Sequence, residues 1–237
     1  MSTVFDFDFF IECLKSGAAR IPVNLYVAAA SVFFGMIFGL IIALIRVFRV
    51  PVLSPIFRWL VTILKGVPVI LMLLVFYVLA ADYFNLIMEY FGIDYTFRQL
   101  NKAIIAIIAL SVLSSIGLSE SFRGALASVK KGQYDAAYSV WLTKRQALVY
   151  VIIPQAFPIA VPTLCNYIIG MIKAGALAAM ISVVDIMNGA LIPANANYRY
   201  LEGYTAAALI YWVVCATLEK VLNIAEKRFA SKVREVA

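Results

Sequence analysis

Residues Ile21–Ile45 read IPVNLYVAAASVFFGMIFGLIIALI, an apolar stretch without a charged side chain. At about 1.5 Å per residue, a helix of this length crosses the roughly 30 Å hydrocarbon core of a bilayer. Gly35 and Gly39 lie four residues apart on one face of that helix. This spacing either lets a neighbouring helix approach closely or is merely tolerated in lipid. The stretch predicts a transmembrane span.

The remainder of the chain has the same character. Of its 237 residues, 64% are hydrophobic and 14% are charged, and the mean hydropathy is +0.95. Soluble domains carry about 25% charged residues and about 45–50% apolar ones. Too little polar surface remains to cover a water-soluble globule, so the composition predicts an all-α integral membrane protein.

Five apolar stretches of spanning length follow one another along a single transmembrane domain (residues 1–237). The expected spans are about Ile21–Ile45, Ile56–Ala81, Lys102–Leu118, Pro158–Lys173 and Tyr204–Leu222. A break at residues 65–68 interrupts the second span, and a polar, aromatic loop at residues 82–99 follows it. Prolines break the apolar region at residues 149–192, so we expect one span there and then a short half-buried helix at the outer side.

Residues 1–20 are predicted to form an amphipathic segment outside the membrane. The first twelve are acidic and aromatic and do not resemble a signal peptide. Phe5, Phe7, Phe9 and Phe10 are expected at the level of the lipid headgroups.

The distribution of lysine and arginine predicts the orientation. If five spans alternate, one side collects most of the basic residues: Arg46, Arg49, Arg58, Arg123, Lys130, Lys131, Lys144, Arg145, Lys220, Lys227, Arg228, Lys232 and Arg234. The other side holds few basic residues and most of the acidic ones. We therefore expect the N-terminus outside and the C-terminus inside, with a cytoplasmic tail at residues 223–237.

Several functional classes find no support in the sequence. The chain has no histidine, and its three cysteines are widely spaced in apolar surroundings, which indicates small buried side chains rather than a metal site. No G-x-x-x-x-G-K-[ST] motif is present. The net charge of +7 comes from basic residues at the ends of apolar blocks, so it does not indicate nucleic-acid binding. We expect no catalytic residue, metal or directly bound cofactor.

The long hydrophilic stretch at residues 124–148 is predicted to be cytoplasmic. Within it, Ser128–Gln146 has the composition of an amphipathic helix, with Gly132 breaking the preceding chain and Asp135 near the helix start. Its apolar face is expected to comprise Ala137, Val140, Trp141 and Leu142. Such a helix either rests on the inner leaflet or inserts into a groove of a cytoplasmic partner, and its periodicity does not choose between the two.

Three motifs in this region occur in a family order and spacing: ESFRG at residues 120–124, KGQYDAA at residues 131–137 and IIPQA at residues 152–156. Together they resemble the EAA loop of ABC importer permeases, most closely the polar amino-acid subfamily. The resemblance implies the type I importer permease fold. It also implies a non-catalytic subunit of the bacterial inner membrane that translocates a polar amino acid or a derivative such as cystine.

The resemblance further implies the partners: two ABC ATPase subunits that carry ATP and Mg, a second permease subunit, identical or paralogous, and an extracytoplasmic solute-binding protein. In that family the EAA segment forms the coupling helix that docks into the ATPase. The residues that correspond to it here are Gly132, Gln133, Asp135, Ala136, Ala137, Trp141 and Leu142. Asp135 stands where the family has glutamate, and Trp141 where it has glycine.

Polar residues within apolar surroundings are candidates for the substrate pathway, because polar groups are costly in lipid. The candidates are Ser114, Ser115, Asn166, Lys173 and Asp185. Lys173 either meets a substrate carboxylate or extends its ammonium to the membrane surface. For Lys65 the second interpretation is favoured. Glu120 is expected to pair with Arg123 or another basic residue.

Two other functions remain as alternatives. An ion-coupled carrier or channel would need buried acids or histidines and an internal repeat, and the sequence has no histidine or mid-span acid and no evident repeat. A membrane-embedded enzyme would need convergent catalytic groups. The sequence favours the importer permease.

Overall fold

The computed structural model describes residues 5–234, and the side chains of all of these except Ala225 and residues 228–234. Within residues 5–234 the secondary structure is helical, without strands. The α-helices are α1 (Phe7–Ala18), α2 (Ile21–Val47), α3 (Leu53–Lys65), α4 (Val69–Tyr90), α5 (Lys102–Ser128), α6 (Lys131–Ser139), α7 (Lys144–Ala147), α8 (Ile153–Gly175), α9 (Ile186–Asn197) and α10 (Tyr200–Arg234). A π-helical turn (Leu148–Ile152) precedes α8, and a 3₁₀ helix (Ala176–Ile181) follows it.

Five helical stretches in the described part of the chain are long and apolar enough to cross a membrane, which confirms the predicted number. They are Phe7–Val47, Val69–Tyr90, Lys102–Ser128, Lys144–Ile181 and Tyr200–Ile224. α5 is the most buried of these, and it packs most extensively against α2. α8 packs against both helices of this pair, α10 packs against α8, and α4 covers another side of α5.

Two glycines of α2 allow its close packing against α5. A Cβ atom on Gly35 would lie 2.2 Å from Cβ of Ser114, and one on Gly39 would lie 3.0 Å from the Ser115 carbonyl oxygen. Real Cβ atoms do not approach other heavy atoms as closely as the first distance. The interpretation of these glycines as a close-approach face is confirmed.

We expect the substitution Gly35→Ala to destabilise the folded membrane domain by about 1–3 kcal/mol, because the added methyl overpacks the α2–α5 contact. The denaturant midpoint of the purified protein in detergent measures this loss. Gly124→Ala is the matched control, since a Cβ on Gly124 of α5 meets nothing within 4 Å. Equal midpoints for the two variants would contradict the packing role of Gly35.

The second span lies further along the chain than predicted. Ile56–Ala81 is split at Gly66–Pro68 into α3 and α4, and the span is α4, which runs on to Tyr90. Pro68 is the N-cap of α4, and its ring carries no N–H to continue α3. α3 has 13 residues, a length of about 20 Å that is too short to cross the hydrocarbon core. Half of the predicted loop at residues 82–99 is therefore helix.

Other boundaries also differ. The third span extends beyond Leu118 to Ser128, because Glu120 finds cationic partners and need not end the helix. α8 includes Pro158 and Pro162 and is longer than the predicted Pro158–Lys173. A separate short helix, α9, follows it as expected. Residues 223–234 of the predicted tail continue α10, whereas residues 235–237 lie outside the described part.

The N-terminal helix α1 packs on the rest of the chain. α1 contacts α9 and α10, and Phe10, Cys13 and Gly17 are buried in these contacts. Phe10 packs against α9 and α10, so its ring is not on an exposed face of α1, and its level relative to the lipid headgroups stays a prediction. Phe5 and Phe7 are exposed. The predicted Met1–Val4 portion of the segment lies outside the described residues.

Candidate functional site

The hydrophilic stretch folds into the short helix α6 (Lys131–Ser139), which is anchored on one face. Ala137 is buried, and Tyr134 packs against an apolar cluster built from the end of α5 and the start of α8, with Ala125, Leu126, Val129 and Ile152 among its members. Burial raises the pKa of the Tyr134 phenol above its usual range. α6 is thus fixed to the ends of two spans.

The opposite face of α6 is open to solvent. Gly132, Gln133, Asp135 and Ala136 are all exposed. Four of the predicted docking residues therefore share an accessible surface, while Ala137 points into the chain. Gly132 lies in the first turn of α6 and does not break the preceding helix, which ends before the extended residue Val129.

Trp141 lies beyond the end of α6 in a left-handed backbone conformation. Its φ is +62°, and its side chain is 94% exposed. Its N–H donates to the Tyr138 carbonyl (3.0 Å), and the N–H of Leu142 donates to that of Ala137 (3.2 Å), which closes the helix. Glycine is the usual residue at such a helix end, because it has no Cβ penalty at positive φ. This explains the glycine of the resembling family at this position.

The predicted single helix over Ser128–Gln146 is therefore wrong in its second half. Val140, Trp141 and Leu142 do not extend an apolar helix face, because the chain turns at Trp141. Lys144 and Arg145 open the next helix, α7, and do not end the first one. Thr143 and Gln146 form a capping box there, in which Thr143 Oγ1 accepts from the Gln146 N–H and Gln146 Oε1 accepts from the Thr143 N–H.

A side-chain hydrogen bond connects α6 to α8. Gln155 Nε2 donates to Gln133 Oε1 (3.1 Å) and to the Val151 carbonyl (3.0 Å) in the π-helical turn. Gln133 and Gln155 belong to two of the motifs that the sequence analysis singled out. Their pairing links the exposed helix to the start of a transmembrane helix.

A cluster of charges lies near the same end of the bundle. Glu120 accepts hydrogen bonds from Arg46 of α2 and from Arg123, whose Nη2 is 2.8 Å from Glu120 Oε2. The predicted pairing of Glu120 with Arg123 or a neighbour is confirmed for both partners. Because Arg46 and Glu120 belong to α2 and α5, the ion pair holds these helices together. Lys65, at the exposed end of α3, has no such partner among the described residues.

The predicted pathway residues of α5 are packed inside the bundle. Ser114 is fully buried, and its hydroxyl lies 3.2 Å from the Met171 sulfur of α8. Ser115 donates to the Ser111 carbonyl (2.7 Å). Ser114 lies under Gly35 of α2 and contacts only protein, whereas Ser115, beside Gly39, also lines an apolar cavity of about 470 Å³ between α2, α3 and α5.

Asn166 and Lys173 lie on a different surface, the exposed side of α8. Together with Thr163 and Gly170 they form a stripe at spacings of three and four residues, and all four are exposed. Lys173 is the single charged residue of α8. We call these four residues the α8 stripe. A polar stripe on a spanning helix requires protein or water beside it, since lipid would leave its polar groups unsatisfied.

Asp185 is buried in a polar network that the sequence analysis did not foresee. Asp185 Oδ2 accepts from the Tyr211 hydroxyl (2.8 Å), and that hydroxyl oxygen accepts from Asn24 Nδ2 (3.0 Å). The network joins α2, α10 and the start of α9. A carboxamide in the first turn of an otherwise apolar span was the available signal for Asn24, but nothing in the local sequence indicates that Tyr211 reaches it.

The comparisons with known proteins agree with this geometry. Residues 35–231 match the family described as "Binding-protein-dependent transport system inner membrane component". The chain is 32% identical over 99% of its length to the whole of "Probable amino-acid permease protein YxeN" of Bacillus subtilis (strain 168). It is 31% identical to "L-cystine transport system permease protein TcyL" of the same organism, over 96% of this chain and 93% of that protein.

A solved structure has the same fold. The structure titled "Crystal structure of an amino acid ABC transporter with histidines" superimposes with a TM-score of 0.79 at 28% identity, over 94% of this chain and 99% of that one. Groups of three or more histidine, cysteine or acidic residues that could hold a metal do not occur among the described residues.

Proposed function

The chain belongs to the family of binding-protein-dependent transport system inner membrane components, and from this premise we propose that it is the permease subunit of an amino-acid importer driven by ATP. The predicted family and the predicted type I importer permease fold are confirmed by the family match and by the solved structure. The observation that carries the proposal is the exposed helix α6, which bears the KGQYDAA motif and is fixed to the two spans that bear the other two family motifs.

The proposed solute is a polar amino acid or a derivative such as cystine. The names of the relatives, an amino-acid permease and an L-cystine permease, support this. The α8 stripe adds chemical support, because its amide, hydroxyl and ammonium groups suit a zwitterion with a polar side chain. In the proposed path, Lys173 meets the solute carboxylate and Asn166 hydrogen-bonds to polar atoms. Asp185, Ser114 and Ser115 would become accessible in another conformation.

The docking surface proposed for two ABC ATPase subunits, one per permease, is the exposed side of α6 and its end. It comprises Gly132, Gln133, Asp135, Ala136, Trp141 and Leu142, with Ala137 holding the helix in place. Helix-in-groove recognition uses an exposed helix face with a few anchoring side chains. Trp141, 94% exposed, has the chemistry of such an anchor. ATP and Mg would bind in the partner.

A second permease, identical or paralogous, is proposed to face the α8 stripe. The stripe would then be bounded by protein and water, as its polarity requires. The orientation proposed is N-terminus outside and C-terminus inside, in the bacterial inner membrane. In this orientation residues 1–20 meet the outer side, where a solute-binding protein delivers the solute. Residues 124–148 and 223–237 face the cytoplasm.

The experiment that tests the function is uptake by the reconstituted complex. The permease, its ATPase and its binding protein are placed in proteoliposomes, and labelled L-cystine, L-glutamine and L-arginine are offered. ATP supplied to the ATPase in the proteoliposomes is expected to drive uptake of at least one of these amino acids, and the uptake should be proportional to the ATP hydrolysed. Uptake by the permease alone under a sodium or proton gradient, without ATP, would establish the ion-coupled carrier instead.

Gln155→Ala is expected to uncouple hydrolysis from transport. The substitution removes the hydrogen bond to Gln133, by which movement of α6 would reach α8. Loss of one such bond weakens the link by about 1 kcal/mol, so the number of ATP molecules hydrolysed per solute carried should rise several-fold while ATPase binding persists. The ratio is measured in proteoliposomes. Gln155→Glu is the matched control, because its carboxylate can accept a hydrogen bond from the Gln133 amide, and it should retain the ratio. An unchanged ratio in Gln155→Ala would contradict the link.

A further inference from the structure

A cavity of about 470 Å³ opens at the end of the bundle where α2 and α5 begin. The first turns of these two helices form its walls, and the connector between the 3₁₀ helix and α9 forms its floor. Its polar lining comes from Arg20, Tyr26, Asn101, Lys102 and Ser182. The cavity is separate from α6 and from the α8 stripe, and neither the family motifs nor the predicted pathway residues include it.

The Arg20 guanidinium is held near the cavity without a protein partner. The stem of Arg20 packs on α9 so closely that a Cβ on Gly189 would lie 2.7 Å from Arg20 Cγ. The guanidinium itself forms no hydrogen bond or ion pair with the side chains that the structure describes. The apolar part of this exposed side chain therefore contacts α9, while its five N–H donors remain available.

Lys102 supplies the second cation, and it is also positioned. Its ammonium donates to the Phe97 carbonyl and lies 3.7 Å from the centroid of the Phe97 ring. Two of its three donors are left for other acceptors. Aspartate and glutamate are not among the residues that line the cavity. The adjoining Asp185 is 1% exposed, with its oxygens bonded to the Asn188 N–H and the Tyr211 hydroxyl.

Hydrogen bonds hold the backbone at the floor of the cavity. The Val183 N–H donates to the Ala178 carbonyl (3.2 Å), and the Val183 carbonyl accepts from Asn188 Nδ2 (3.1 Å). On the wall, Asn101 caps α5 by accepting from the Ala103 N–H (3.0 Å). Groups that are already hydrogen-bonded, as at this floor and at Asn101, lose little entropy when a ligand binds.

We propose that this cavity binds an anionic group, a carboxylate or a phosphate, between Arg20 and Lys102. An arginine fork and an ammonium are the side chains that recognise such oxygens, and the positive ends of the α2 and α5 dipoles add to the attraction. Two sources offer the same chemistry. One is the carboxylate of a solute on its way to the pathway, an option that rests on the proposed function. The other is the headgroup of an anionic phospholipid, since both cations lie at the ends of spans.

The lipid source is tested on the purified transporter in detergent. Phosphatidylglycerol or phosphatidylcholine is added, and native mass spectrometry counts the molecules retained. Retention of phosphatidylglycerol should fall about tenfold in the double variant Arg20→Gln, Lys102→Gln, because two charged hydrogen-bonding groups are lost. Arg98→Gln is the matched control. It removes one cation from the neighbouring loop, outside the cavity lining, and should leave retention unchanged.

The solute source is tested in proteoliposomes of phosphatidylcholine alone, with labelled L-cystine, L-glutamine and L-arginine. Here the double variant should raise KM about tenfold with kcat retained, and Arg98→Gln should not. If the double variant does not fold, Tyr26→Asp serves instead. The Tyr26 side chain is 64% exposed, and an added carboxylate at the mouth should compete with the anion in either arm.

A loss in either arm supports the anion site and identifies its source. Wild-type behaviour of the variants in both arms would overturn it. If the wild-type complex carries none of the probes, that result counts against the proposed function, and the lipid arm alone decides the anion site.

Discussion

Replacing Trp141 with asparagine is expected to weaken binding of the ATPase subunit by about 30-fold or more, because an exposed tryptophan that anchors an interface contributes about 2 kcal/mol or more. Trp141 is 94% exposed at the end of α6, where no other described side chain covers it. Asparagine accepts a φ of +62° better than most residues. The variant should therefore fold at least as well as the wild-type chain.

The measurement is the affinity of the purified ATPase for the permease in nanodiscs, with the thermal midpoint of the permease recorded in parallel. Trp141→Phe is the matched control, since it keeps an aromatic anchor at the same backbone geometry, and it should retain most of the affinity. An unchanged affinity for Trp141→Asn would show that the docking surface does not include this residue.

The end of α6 at Trp141 could not be predicted from the hydrophobic periodicity of the local sequence. Helical periodicity placed Val140, Trp141 and Leu142 on one apolar face, but the helix ends at Ser139 and Trp141 turns the chain. Periodicity carries no information about a non-glycine residue at positive φ. The departure from the family glycine was itself the signal, because glycine at the end of a helix usually occupies the left-handed region.

The number of membrane spans can be predicted from the sequence, but the residues at which the spans end are harder to predict. Bilayer thickness sets the length of an apolar run that can span it, so the apolar runs of the sequence predict the five spans. The sequence predicts that the third span ends at Leu118, just before the charged Glu120, yet the helix runs on to Ser128. A charged residue ends a span only if it lacks a partner, and its partner Arg46 lies 74 positions away in the sequence.

The candidate pathway residues could be found from the sequence, but their exposure could not. Asn166 and Lys173 are exposed on α8, whereas Asp185 and Ser114 are buried. Polarity in an apolar run is a property of sequence, but whether a polar atom faces solvent or a neighbour depends on tertiary packing. The cavity at Arg20 and Lys102 is the extreme case, because it combines elements that no single motif contains.

The ion pair between Arg46 of α2 and Glu120 of α5 is expected to stabilise the folded chain. Glu120→Gln is expected to lower the free energy of unfolding by about 2 kcal/mol, since removing one partner leaves a largely buried cation unpaired. The Arg46 side chain is 12% exposed and that of Glu120 is 23% exposed. By these exposures the pair lies between a surface salt bridge, which contributes little to stability, and a fully buried salt bridge. The unfolding midpoint in detergent measures the loss.

A double variant distinguishes the effect of an unpaired charge from the loss of other contacts between α2 and α5. Arg46→Met combined with Glu120→Met leaves no unpaired charge between α2 and α5, so it should be more stable than Glu120→Gln alone. Arg123, 42% exposed, keeps its hydration in both variants. Glu89→Gln, at an exposed position of α4, controls for loss of one negative charge. If the double variant is less stable than Glu120→Gln, the two residues hold the helices by contacts other than their ion pair.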